Sequence, residues 1–262
     1  MRRGLLAAVA SRRRSFSPLD LSPALWLRAD LGVTLNAGNV SAWADQSGNS
    51  RHFTQGTAGA QPAWSATGGP TGGPTVAIDS THYLVGAGAP ANWSFLHQST
   101  LSLFVVYRTT TADPGTVVPF LGTGWDGAPG EKGAYFALDD RTGLGRNDDC
   151  VCVIHEGSAA YTYAYLCGAG TFPQQAWDCA TFLTTPTTST TKRGGVTKGS
   201  QAIGANPFPA SNTFPATLGR LSLTVVGCGP ALISEMIAIP RALTALEYAR
   251  LTTYFARSAV IP

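Results

Sequence analysis

The chain has 262 residues, 44% of them apolar and 13% charged, with a net charge of +3. The apolar share excludes global disorder, and no apolar run approaches the ~20 residues that span a bilayer. Thirty glycines and 17 prolines, against four Glu and three Lys, exclude a helical bundle and point to short strands joined by tight turns.

The first fourteen residues, MRRGLLAAVASRRR, carry Arg2, Arg3, Arg12, Arg13 and Arg14 and no acid. The body that follows is slightly acidic and offers no nucleic-acid surface, whereas the basic segment suits an acidic partner. GLLAAVA is at the lower limit for a secretory core, and SRRR stands where a small-residue cleavage site belongs, so a leader peptide is the weaker reading. Residues 1–17 are therefore read as a basic N-terminal arm that anchors the protein, and residues 18–262 as one domain.

In chain order, two Ser-Pro pairs precede ALWLRA, a strand with Leu25 and Leu27 on one face and Trp26 and Arg28 on the other. TLNAGNVSAWAD reads as two strand pieces about an Asn-Ala-Gly-Asn turn. Residues 56–75 form a Gly/Pro-rich loop, followed by VAID and HYLV. LSLFVVYR, residues 101–108, is apolar on both faces and belongs at the centre of a sheet. TVVPFLGTG and GAYFALDD are strands around the polar loop WDGAPGEK. DCVCVIHE and AYTYAYLC form a hairpin about Gly157-Ser158, with Tyr161, Tyr163 and Tyr165 on one face. Residues 183–200 are a loop, or a hairpin turning at Gly194-Gly195. RLSLTVVGC and ALISEMIAIP are the last strand candidates.

The end changes character. Thr244 is an N-cap, Glu247 completes a capping box, and Leu243 and Tyr248 take the staple positions. Leu246, Ala249, Leu251, Tyr254 and Phe255 make a helical stripe, which predicts one helix over 245–257.

Four segments, LWLRAD, VSAWADQSGNSRHFTQ with QPAW, GGPTVAID, and ISEMIAIPRALTALEYARLTTYF, occur in an order that resembles the concanavalin A-like lectin/glucanase superfamily. The likeness is to its laminin-G-like jelly-roll domains of phage and bacterial surface proteins. It spans residues 19–257 and is strongest at the two ends. It implies an all-β jelly-roll sandwich of two antiparallel sheets with one short C-terminal helix. It further implies a non-enzymatic phage virion protein: a capsid decoration, tail or fibre-associated subunit assembled in the host cytoplasm. The arm would bind other virion proteins, with a host-surface glycan and further copies of the chain as other partners. The alternative is a carbohydrate-binding module of a virion or bacterial cell surface, with a glycoside hydrolase third.

The residues fit a binding or structural role better than catalysis. Around Trp43, Asp45, Gly48 and Asn49, a turn brace is favoured. Asp45 suits an Asx-turn, Gly48 and Asn49 tolerate positive φ, and only Ser47 and His52 stand near as catalytic partners. Glycoside hydrolysis needs two carboxyl groups about the scissile bond, yet Glu131, Glu156, Glu235 and Glu247 are dispersed. Asp139-Asp140 and Asp148-Asp149 are adjacent pairs, expected on opposite strand faces about a turn. No metal is expected, because neither the acids nor Cys150, Cys152, Cys167, Cys179 and Cys228 follow a usual ligand spacing. The odd cysteine count predicts free thiols. No cofactor is expected either, since GLGRN lacks the rest of a dinucleotide fingerprint. The best local candidate for carbohydrate contact is Trp125 with Asp126, followed by the tyrosine ladder.

Overall fold

A computed structural model describes residues 15–98, 100–111, 115–124, 130–141, 149–156, 164–166, 175–185, 187–193, 196–202, 211–224 and 228–257. The described residues form seventeen strands and one α-helix. The strands begin with β1 (Leu25–Arg28), β2 (Val33–Asn36), β3 (Asn39–Trp43), β4 (Phe53–Thr54), β5 (Ala63–Ser65) and β6 (Thr75–Ile78). Then come β7 (Leu84–Gly86), β8 (Leu101–Thr109), β9 (Val117–Gly122), β10 (Lys132–Asp139), β11 (Asp149–Glu156) and β12 (Ala164–Leu166). The last five are β13 (Asp178–Thr184), β14 (Thr188–Arg193), β15 (Val196–Ala202), β16 (Thr217–Leu218) and β17 (Ala231–Ile239), with α1 at Ala245–Arg257.

Every strand pairing is antiparallel, and the strands form the two layers of a jelly-roll sandwich. In one layer β17 pairs with β8 on one side and with both β1 and β6 on the other, and β13, β14 and β15 continue outward from β8. The second layer runs β2, β3, β4, β7, β16, β9, β10, β11, β12, and β5 joins the layers by pairing with β6 and bridging to β3. The core fills the space between them with Trp43, Phe53, Trp93, Tyr107, Phe120, Phe136 and Phe182, all buried. Removing such a side chain from water contributes on the order of 2–3 kcal/mol. Trp93 crosses so near β7 that a Cβ on Gly86 would lie 2.2 Å from its ring, so only glycine fits.

Period two decides which layer face each residue meets. Along β8, Leu101, Leu103, Val105 and Tyr107 enter the core, while Phe104 and Val106 point outward. That outer face is covered by α1, whose Leu251 and Phe255 pack on Phe104, Val106, Ile237 and Ile239. A sheet covered on both faces explains why LSLFVVYR is mostly apolar on both faces.

The structure departs from the sequence reading in several places. The 56–75 loop contains β5, because Trp64 packs against the core and donates from its indole to the Ala29 carbonyl at 3.0 Å. RLSLTVVGC is not a strand in its described part: pairing ends at β16, where Gly219 turns the chain at φ +89°. Of the two readings of 183–200, the structure forms the hairpin, β14–β15, with Arg193 opposite Val196. β11 and β12 pair antiparallel, and the tip of their hairpin lies outside the described residues.

Candidate functional site

The site grows from one charged residue in an apolar strand. β17 reads ALISEMIAI, and strict alternation from Ile233 would send Glu235 into the core. A register shift between Ile233 and Glu235 takes up one residue, so Ile233 and Met236 face the core and Glu235 faces outward beneath α1. Directly across on β1 stands Arg28, the cross-strand partner of Glu235.

Glu235 is 7% exposed. Its Oε1 accepts two hydrogen bonds, from the Trp26 indole at 2.7 Å and from the Tyr254 hydroxyl of α1 at 2.8 Å. Its Oε2 accepts none from the described residues and opens on a cavity of about 170 Å³. Arg28, Asp30, Pro70, Thr71 and Tyr254 also line this cavity. Arg28 grips Asp30 through Nε at 3.0 Å and Nη2 at 2.6 Å, leaving Nη1 without a bond among the described residues. Burial pushes the Glu235 carboxyl up to about 7, against the pull of its two hydrogen bonds and of Arg28. Burial, then the Glu235 charge, raises the Tyr254 hydroxyl above its usual range. The rim is strained: Thr71 is β-branched yet sits at φ +51°.

Other carboxylates have structural partners. Asp45 is also 7% exposed, but accepts from the backbone of Trp26, Ser47 and Arg51 and from the Ser47 hydroxyl. Asp139 pairs with Arg141 at 2.7 Å and Asp178 with Arg193 at 2.6 Å. Asp79 holds a turn through Thr81 and His82. A larger hollow of about 410 Å³ lies beside Asp79 and His82, whose side chains are 34% and 44% exposed. Gln61, the buried polar residue of its lining, accepts from the Asn36 amide and donates to the Gln55 carbonyl.

The sequence-predicted residues fall as follows. Trp43 is fully buried, with its indole donating to the Arg28 carbonyl at 2.8 Å. Gly48 takes φ +90°, and the Asn49 amide donates to the Pro23 carbonyl at 2.9 Å. Together with Asp45 they tie the 44–51 loop to β1. Thr244 and Glu247 exchange backbone and side-chain hydrogen bonds at 2.9 and 3.3 Å, and Arg241 holds Glu247 in a fork. That fork holds the Glu247 carboxyl down at about 2. Cys150, Cys152, Cys179 and Cys228 are free thiols. Arg2, Arg3, Arg12, Arg13, Arg14, Trp125, Asp126, Cys167, Tyr161 and Tyr163 lie outside the described residues. Phe16, assigned to the arm, packs edge-on against Tyr254 with centroids 6.3 Å apart.

Strand spacing missed the Glu235 pocket. Asp30 and Glu235 are 205 positions apart, and only the β1–β17 pairing brings them to one cavity. One signal was present: a lone acid amid apolar neighbours on a strand. The cavity offers a fixed acceptor, a free guanidinium nitrogen and a paired carboxylate around a space far smaller than a drug-sized site. Such an arrangement holds a small polar group.

No protein-family model and no curated protein sequence matches the chain. Solved structures show the fold. The binding domain of Paraclostridial Mosquitocidal Protein 1 superposes with a TM-score of 0.63 at 12% identity, over 91% of this chain and 53% of that one. The receptor-binding domain of botulinum neurotoxin type G gives 0.60 at 11% identity, over 89% and 51%. The ligand-binding domain of botulinum neurotoxin serotype D, solved with N-acetylneuraminic acid, gives 0.62 at 9%, over 91% and 53%. The chain thus spans about half the length of these domains.

Proposed function

We propose that this protein is a non-enzymatic recognition module, carried as a structural or binding subunit of a phage particle. The observation that carries the binding role is the Glu235 pocket: a carboxyl group with one oxygen bonded twice and the other left to a cavity for one small group. The fold supports it, since the solved structures it resembles are binding domains of toxins. Hydrolysis fits less well, because Asp30 is held in the Arg28 fork and Glu235 is tied through Oε1 to Trp26 and Tyr254, which leaves no pair of free carboxyl groups to flank one bond. The virion assignment rests on the four resembling segments and on the basic arm.

Two measurements test the reading. Labelled full-length chain should adhere saturably to isolated bacterial envelopes without releasing reducing sugar from β-glucans. Absence of adhesion overturns the binding role, and turnover lost in Glu235→Gln or Asp30→Asn would make the protein a hydrolase. Deleting residues 2–14 should abolish co-sedimentation with phage particles. Wild-type occupancy after the deletion would place attachment in the sandwich.

A further inference from the structure

The pocket's own chemistry narrows what it recognises, an inference that rests on the binding-module reading. We propose that the cavity between β1, the 68–74 loop, the β17 bulge and α1 takes the ring of one neutral sugar. One hydroxyl donates to Glu235 Oε2 and a neighbouring hydroxyl accepts from Arg28 Nη1.

Four observations lead there. First, the acceptor is fixed. Two donors hold Glu235 Oε1, so the carboxyl plane is set and Oε2 faces the cavity as a pre-oriented acceptor. Second, a donor stands across from it. The bidentate grip of Asp30 fixes the guanidinium plane, and Arg28 and Glu235 are direct cross-strand partners, with Cβ atoms about 5 Å apart in such pairs. Acceptor and donor thus line one cavity, where neighbouring ring hydroxyls, each able both to donate and to accept, can meet them.

Third, the walls and volume suit a single ring. Pro70, Pro74 and Val106 supply apolar surface for C–H faces. The volume of about 170 Å³ holds several waters, which the hydroxyls of one ring would replace. Fourth, charge selects against ions. Arg28 and Asp30 cancel as a pair, and burial disfavours the Glu235 charge, so the lining offers little net charge to an ion and suits a neutral polar ligand. The left-handed Thr71 on the rim is the kind of local strain that persists where a site needs it.

The Trp26 indole N–H, bonded to Glu235, is a built-in reporter. Full-length ¹⁵N-labelled protein would be titrated with glucose, galactose, mannose and N-acetylglucosamine, following the Trp26 indole cross-peak assigned through Trp26→Phe. At least one sugar should shift it saturably with a millimolar Kd. Glu235→Gln and, separately, Arg28→Gln should weaken that sugar by roughly tenfold or more with the remaining spectrum native. The assignment is overturned if no sugar moves the peak, or if both variants bind like the wild type. It also falls if methylammonium or acetate binds more tightly than every sugar. If the chain still adheres to envelopes in any of those cases, only the pocket's ligand is wrong. If adhesion is also absent, the binding role fails with it.

Discussion

Two carboxylates, Asp45 and Glu235, are equally buried and both hold Trp26, one by its backbone and the other by its indole. Asp45 accepts four hydrogen bonds shared over both oxygens. Glu235 accepts two, both on one oxygen. Equal burial therefore means opposite things. A carboxylate saturated by backbone donors is a brace that fixes the chain, whereas one left half-filled beside a cavity keeps a place for a donor from outside. Hydrogen-bond saturation, not depth, separates the structural acid from the candidate site.

The sharpest way to break this contrast is Asp45→Ala. It strands the buried Trp26 N–H and unties the 44–51 loop from β1, so urea unfolding should show a loss of about 3–4 kcal/mol. A loss below ~1 kcal/mol would remove the distinction.

Glu235 should show its difference as pH dependence. Its folded carboxyl, at about 7, binds a proton more tightly than the unfolded one at 4.5. The stabilising contribution is complete below pH 4.5 and is lost as pH rises through about 7. Relative to Glu235→Gln, the wild type should lose on the order of 3 kcal/mol across that window. Unfolding midpoints of the pair from pH 4.5 to 8 measure it, and a constant difference would mean the carboxyl is not held high. Glu247 has the opposite sign: its contribution is present above pH 4.5 and fades as pH falls through about 2.

Smaller effects sharpen the comparison. Thr244→Ala removes the cap of α1 at the end away from Tyr254. It should cost about 1 kcal/mol in thermal or urea unfolding while leaving the Trp26 indole resonance in place. Thr71→Gly should relieve rim strain and gain a few tenths of a kcal/mol, at the expense of sugar affinity. Stability and affinity rising together would mean the strain serves no site.

Much of the fold was legible because local chemistry specifies it. The Leu25/Leu27 and Trp26/Arg28 alternation assigned both faces of β1, and the TALE capping box set the start of α1 at its observed residue. β5 was less legible, since AWS is short and flanked by Gly and Pro, and only the contact of Trp64 with the core reveals it. RLSLTVVGC failed for the opposite reason: its alternation is good, but Gly219 turns the chain before it can pair.

By itself, the sequence determined the β class, the faces of β1 and β8, the terminal helix and the turn chemistry around Asp45, because each depends on residues within a few positions of one another. The site was decided elsewhere. A one-residue register shift in β17 turned Glu235 away from the core, pairing with β1 set Arg28 and Asp30 beside it, and α1 closed over it with Tyr254. Those groups are more than 200 positions apart in part, and no local pattern encodes their meeting. Only packing the layers and the helix together could leave one oxygen of Glu235 without a partner among the described residues and a cavity beside it.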